Sequence, residues 1–206
     1  MKKLWGRLES WMDANTGESL KLSPPATAAA VTKAEKALGV QFPTDFKESL
    51  MIHDGQKTVT ISWLPAGAQL LSLKQIMNQW KMEKSFGSDD PDGFETFQCK
   101  KRVRSVAYHP QRVAIAYAEM ATAGLYLDFV PGPKGEAGQL IYNHSEAEFA
   151  VLGDSFGDFL TRYVKLLEEG KLVYKADTSD QYEVAGFIVK KGGKLGSDFY
   201  KALAIA

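Results

Sequence analysis

Residues 25–56 read P-A-T-A-A-A-V-T-K-A-E-K-A-L-G-V-Q-F-P-T-D-F-K-E-S-L-M-I-H-D-G-Q, and this stretch decides the fold. Thr27 has the chemistry of a helix N-cap, Val31, Ala34 and Leu38 recur on one face, and Gly39 supplies the stop. Pro43 opens a second helix where a missing N–H does no harm; Phe46 and Leu50 face inward, and Asp54-Gly55 ends it. The pair forms a helical hairpin whose apolar faces need a further layer to pack on.

Upstream, Leu4, Trp5, Leu8, Trp11 and Met12 fall on one helical face before Gly17, and two tryptophans on one stripe read as core. Downstream, 58–64 and 68–71 read as short strands, with Val59 and Ile61 alternating with Thr and Ser ahead of Trp63 and Pro65. Ser72 and Gln75 have capping-box spacing, so a helix starts there and buries Leu73, Ile76, Met77 and Trp80. Gly87 to Gly93, G-S-D-D-P-D-G, is turn chemistry.

Strands are then expected at 113–118, 125–130, 140–142 and 149–152; Leu125, Leu127 and Phe129 alternate with Tyr126 and Asp128, giving one dry and one polar face. Phe156, Phe159, Leu160, Tyr163, Val164 and Leu167 form the strongest helical stripe in the chain, closed by Gly170. Beyond it come 172–174, a strand within 182–189, a Gly192-Gly193 turn and a short tail at 199–203. No repeat or long linker divides the 206 residues, so one domain over 1–206 is expected, a size that buries about 70% of the unfolded chain's surface.

Lysine plus arginine equal aspartate plus glutamate at 25 each, which leaves no net field for nucleic acid or an anionic membrane. The local run Lys100, Lys101, Arg102 and Arg104 lacks interleaved aromatic residues and reads as a solvated loop or strand edge. The N-terminus has no continuous apolar stretch of a signal peptide, and no later segment approaches the ~20 apolar residues of a membrane span, so a cytoplasmic location is expected. The single Cys99 suits a reducing compartment and rules out an internal disulfide.

The 25–56 run resembles the opening signature of the fungal cell-wall-assembly regulators and their bacterial relatives, the SUKH superfamily, through Glu35, Leu38, Gly39, Pro43, Asp45, Leu50, Asp54 and Gly55. Later segments agree in order. Residues 71–80 resemble the family's S-L-x-x-I helix, and Tyr108-His109-Pro110 its turn before a strand. Leu127-Asp128 with Gly132-Pro133-Lys134-Gly135 and Gly138-Gln139 resembles its hairpin, and 155–160 its S-F-x-D-F-L helix start. The likeness covers about 20–175; 176–206 matches nothing in it and is expected to pack on or beside the domain, and Arg112 stands in the segment after His-Pro where the family commonly has Trp.

The resemblance implies an α+β fold, with a mixed, largely antiparallel sheet and helices packed mainly on one side. It also implies a protein partner: a cognate secreted toxin domain for a bacterial stand-alone immunity protein, or components of wall synthesis for a regulatory scaffold. The expected partner-binding residues are Asp54, Gly55, Gln56, Trp63, Tyr108 and Asp128, with Gln56 exposed at the rim of a cleft.

Catalytic readings are weaker. His53, His109 and His144 have no metal-ligand spacing, the acidic 89–93 turn puts Cys99 where a calcium loop needs Glu, and Gly132, Gly135 and Gly138 lack the lysine of a phosphate loop. A Cys99–His109 pair has no orienting third residue. No catalytic residue, cofactor or metal is therefore expected; an unrecognised site on the polar face bearing Tyr126 and Asp128 is the catalytic alternative, and a carboxylate of strongly raised pKa in a deep pocket would mark it.

Overall fold

The computed structural model describes residues 1–86, 101–106, 108–118, 123–145, 148–175, 186–189 and 202–205. The 87–93 turn, Cys99, Lys100, the Gly192-Gly193 turn and most of the tail lie outside them. Helix α1 spans Lys2–Thr16, α2 Ala28–Leu38 and α3 Thr44–Leu50. Thr27 Oγ1 accepts from Ala30 N at 3.2 Å, and Gly39 ends α2 with φ 70°. Glu35 ties the hairpin, its Oε1 accepting from Phe42 N at 2.8 Å and lying 3.4 Å from Lys47 Nζ.

Strand β1 is only Gln69–Leu70, followed by α4 at Leu73–Phe86. The expected strand over 58–64 does not form. Ile61 and Trp63 do both point inward, but Trp63 N donates to Ile61 O at 2.9 Å, a tight turn, and Thr60 Oγ1 donates to Ser19 O at 2.9 Å. Alternation there records which side chains are buried, not a ladder.

Strands β2 (Arg112–Ala118), β3 (Ala123–Asp128), β4 (Gln139–Ser145) and β5 (Glu148–Gly153) join β1 in a sheet of order β1-β2-β3-β4-β5. Every pairing among the described residues is antiparallel, in keeping with the α+β fold and largely antiparallel sheet expected from the sequence. Helix α5 (Phe156–Glu168) follows, capped by Ser155 Oγ accepting from Asp158 N at 3.2 Å. A separate ribbon pairs β6 (Leu172–Lys175) with β7 (Gly186–Val189).

Cross-strand partners share a face, so register sorts the sheet. Val113, Leu125, Leu127, Leu140, Tyr142, Ala150 and Leu152 join the main core with α5. There all six apolar residues of the α5 stripe are buried, each worth roughly 1.5–3 kcal/mol on removal from water. Helices α1 and α3 pack on α5, through Trp5 against Phe156 and Phe46 against Phe156. Asp45 on α3 reaches the start of α5, Oδ2 accepting from Gly157 N at 2.7 Å.

On the opposite face Ile141, Phe149 and Val151 form a smaller cluster closed by Val103 from the 101–106 segment. Helix α4 packs on α2 and runs along β2, so its later turns reach this second face. The described parts of the tail reach both faces, Phe187 and Leu203 joining the main core and Ile205 the smaller cluster. Phe187 is buried against Trp11, Tyr163 and Tyr174, Ile205 N donates to Val151 O at 2.8 Å, and Arg162 Nη1 donates to Leu203 O at 2.7 Å.

Candidate binding surface

The six residues singled out in the sequence fall into two groups. Asp54, Gly55, Gln56 and Trp63 meet beyond the end of α3, whereas Asp128 ends β3 and Tyr108 lies in the irregular segment before β2. His53 and Asp54 diverge as adjacent residues at a helix end must. His53 Nε2 lies 3.0 Å from Glu9 Oε1 on α1, whereas Asp54 Oδ1 accepts from Leu73 N at 2.7 Å and so caps α4. Ser72 completes that cap as the spacing predicts, donating from N and Oγ to Gln75 Oε1 at 2.9 and 2.7 Å.

Gly55 has φ 77°, and a Cβ there would sit 2.4 Å from Ser72 N and 2.6 Å from Leu71 C. Only glycine lets the turn press against the start of α4. Gln56 is 2% exposed, which corrects its expected place on a rim. Its Nε2 donates to Leu20 O at 2.8 Å, its N donates to Leu70 O at 2.8 Å, and its Oε1 accepts from Trp63 Nε1 at 3.4 Å and Leu70 N at 3.5 Å. Trp63 is likewise 0% exposed, edge-on to Trp5 and Tyr163. An indole enclosed on both faces offers no area to a partner in this conformation.

Asp128 is 0% exposed and does not look onto solvent. Its Oδ1 accepts from Arg112 Nε at 3.4 Å and Val130 N at 3.1 Å, and its Oδ2 from Gln139 Nε2 at 3.1 Å. Arg112 fills the position where the family commonly has Trp, and the structure supplies its role. Its guanidinium lies over the Phe149 ring at 4.9 Å and donates to the carbonyls of Val106 and, at 2.7 Å, Arg104. Burial pulls the guanidinium pKa down, and the Asp128 carboxylate opposes this.

Gln139 Nε2 also holds Arg102 O at 2.9 Å. Three carbonyls of the 101–106 segment are therefore gripped from beneath by side chains of the sheet. At Gly135 a Cβ would meet Arg102 O at 2.1 Å, so the glycine of the G-P-K-G run serves close backbone approach. Tyr108 is half-buried, beside this segment.

A groove of about 630 Å³ lies between α4, β1 and the 3-10 turn at Pro65–Gly67, beside the 54–56 turn, where Asp54 caps α4 and Gln56 O accepts from Gln69 Nε2. Gln69, Gln75, Asn78 and Gln79 contribute polar groups to its lining, and Val59, Leu71 and Met82 apolar ones, with Tyr117 also lining it. Among the described residues that line it, none is charged. Sequence reasoning passed over this stripe, although Gln75, Asn78, Gln79 and Met82 at i, i+3, i+4 and i+7 are an uncharged line on a helix otherwise carrying Lys74, Lys81, Glu83 and Lys84.

Beside the groove, Glu83 Oε1 accepts from Tyr126 Oη at 3.1 Å and from Gln79 Nε2 at 2.8 Å, tying α4 to β3. Burial raises the Glu83 carboxyl pKa against the effect of these two bonds, and burial together with the neighbouring Glu83 holds the Tyr126 hydroxyl well above its ordinary value. Among the described residues no three or more His, Cys, Asp or Glu gather as metal ligands, and no helix is long and apolar enough to cross a membrane.

Fold and surface together define an α+β protein that presents a groove, neutral among its described lining residues, beside an antiparallel sheet. Comparison with known sequences narrows the class: a profile of the SMI1 / KNR4 family (SUKH-1) matches residues 25–162. The chain belongs to that family. It is 26% identical to "Cell wall assembly regulator SMI1" of Saccharomyces cerevisiae over 97% of this chain and 47% of that protein. It is 28% identical to "Cell wall biosynthesis/cell cycle regulator smi1" of Schizosaccharomyces pombe over 84% and 37%. A "Glucan synthesis regulatory protein" of Neurospora crassa is 23% identical over 85% and 40%. The chain thus spans less than half the length of these relatives.

Proposed function

We propose that the chain is a non-catalytic protein-binding module that uses the α4–β1 groove to hold a partner. The observation that carries this reading is the groove itself, an open surface, neutral among its described residues, whose elements are anchored by the Asp54–Gln56 turn. The raised carboxyl of Glu83, which alone could recommend a catalytic reading, is engaged by Tyr126 and Gln79 and serves as a helix-to-sheet tie. The names of the fungal relatives support a regulatory partner in wall synthesis. The immunity reading, a cognate toxin domain held in the same groove, follows from the family resemblance in the sequence.

A photo-crosslinking residue at Asn78, with a second at Lys36 on another surface, tests the proposal in cells. The expected result is a discrete protein adduct from position 78 and none from 36. A wall-synthesis component in that adduct supports regulation; a toxin domain, with growth rescued on co-expression, supports immunity. Turnover of a small molecule by the purified chain, abolished by one polar substitution, overturns the module reading.

A further inference from the structure

We propose that the groove reads the main chain of an extended, uncharged segment of the partner, through carboxamides whose orientation the fold has already set. The inference rests on the protein-binding reading above and specifies its ligand. Three polar side chains of the lining have one end of the amide spent inside the protein. Gln69 Nε2 donates to Gln56 O at 2.6 Å, Gln79 Nε2 donates to Glu83 Oε1 at 2.8 Å, and Gln75 Oε1 accepts from Ser72 N and Oγ at 2.9 and 2.7 Å. The opposite ends are those available to a ligand: acceptors at Gln69 and Gln79, and a donor at Gln75.

Such an array suits a chain that presents alternating N–H and C=O groups, because anchored amides lose little rotamer freedom on binding. Val59 and Met82, which also line the groove, offer apolar contact to the side chains that an extended segment turns to one side at every second residue. Charged side chains are disfavoured, since they would shed water against described lining residues that carry no counter-charge. Simple strand addition to β1 is blocked on its outer edge, where Gln56 N already donates to Leu70 O and Gln56 Oε1 accepts from Leu70 N. Recognition by side-chain amides replaces the main-chain ladder of ordinary strand capture.

The test uses the full chain as bait for random dodecapeptides displayed on phage, then fluorescence polarisation of the selected peptide against wild type, Asn78→Asp, Met82→Asp and Lys36→Ala. Both groove positions are exposed, so the variants keep the fold, which their thermal transitions verify. The expected outcome is a selected core free of Asp, Glu, Lys and Arg, bound about ten-fold or more weaker by each groove variant and unchanged by Lys36→Ala. Charged selected cores, no selected peptide, or affinity insensitive to both groove variants overturn the proposal. A neutral β-glucan hexasaccharide that binds with the same variant sensitivity also overturns it, in favour of a carbohydrate. If the crosslinked natural partner still binds Asn78→Asp and Met82→Asp with full affinity, the module reading stands and this assignment of the groove falls.

Discussion

Replacing Gly55 by alanine tests whether the geometry of the Asp54–Gln56 turn holds the groove's supports together. Two costs add at this position. Alanine at φ 77° costs about 1–2 kcal/mol from the left-handed backbone. A Cβ 2.4 Å from Ser72 N and 2.6 Å from Leu71 C meets backbone on both sides, so the turn and the start of α4 must part, adding about 1–3 kcal/mol. Gly39→Ala is the matched control, because its φ is 70° but nothing described lies within 4 Å of the added Cβ. The gain from a stiffer unfolded chain is common to both variants and cancels in the difference.

Gly55→Ala is therefore expected to lose about 1–3 kcal/mol more than Gly39→Ala, a further drop in Tm of about 2–12 °C for a chain of this size. Urea titrations at equal m-values measure the difference, and hydrogen exchange at the Leu73 amide reports whether the α4 cap loosens with it. Equal losses in the two variants, with Leu73 protection unchanged, would refute the claim that the turn is pressed onto the helix start.

Trp63→Ala should cost about 3–5 kcal/mol in urea titrations, as an enclosed core indole does, and not leave the fold untouched as a rim residue would. Asp128→Ala leaves the buried Arg112 guanidinium without its carboxylate and should cost about 3–5 kcal/mol, with faster hydrogen exchange in 101–106; Arg112 and Asp128 changed together to apolar residues should recover part of that loss. Burial raises the folded pKa of Glu83 above the ordinary carboxyl value, so the native state holds the proton more tightly than the unfolded chain. Its contribution is present in full at low pH and is lost as pH rises through the raised folded value. Glu83→Gln should accordingly flatten that part of the Tm–pH profile and raise Tm at pH above it; a profile unchanged by the substitution would sink the assignment.

Local chemistry made much of this protein legible. The Thr27 cap, the Gly39 stop, the Ser72–Gln75 box and the α5 stripe depend on neighbours within a few residues, and each forms as its spacing predicts. The ordered family motifs were legible for the same reason, being written along the chain. Whether Gln56, Trp63 and Asp128 face solvent was not, because the groups that satisfy them come from distant residues: Leu20 and Leu70 for Gln56, Arg112 and Gln139 for Asp128. A buried polar side chain and an exposed one look alike in sequence until the carbonyls and donors that would replace water are known. Tertiary packing alone decided that 58–64 turns inward without a ladder, that Arg112 grips a loop from below, and that the residues carrying the family signature support a groove built from their neighbours.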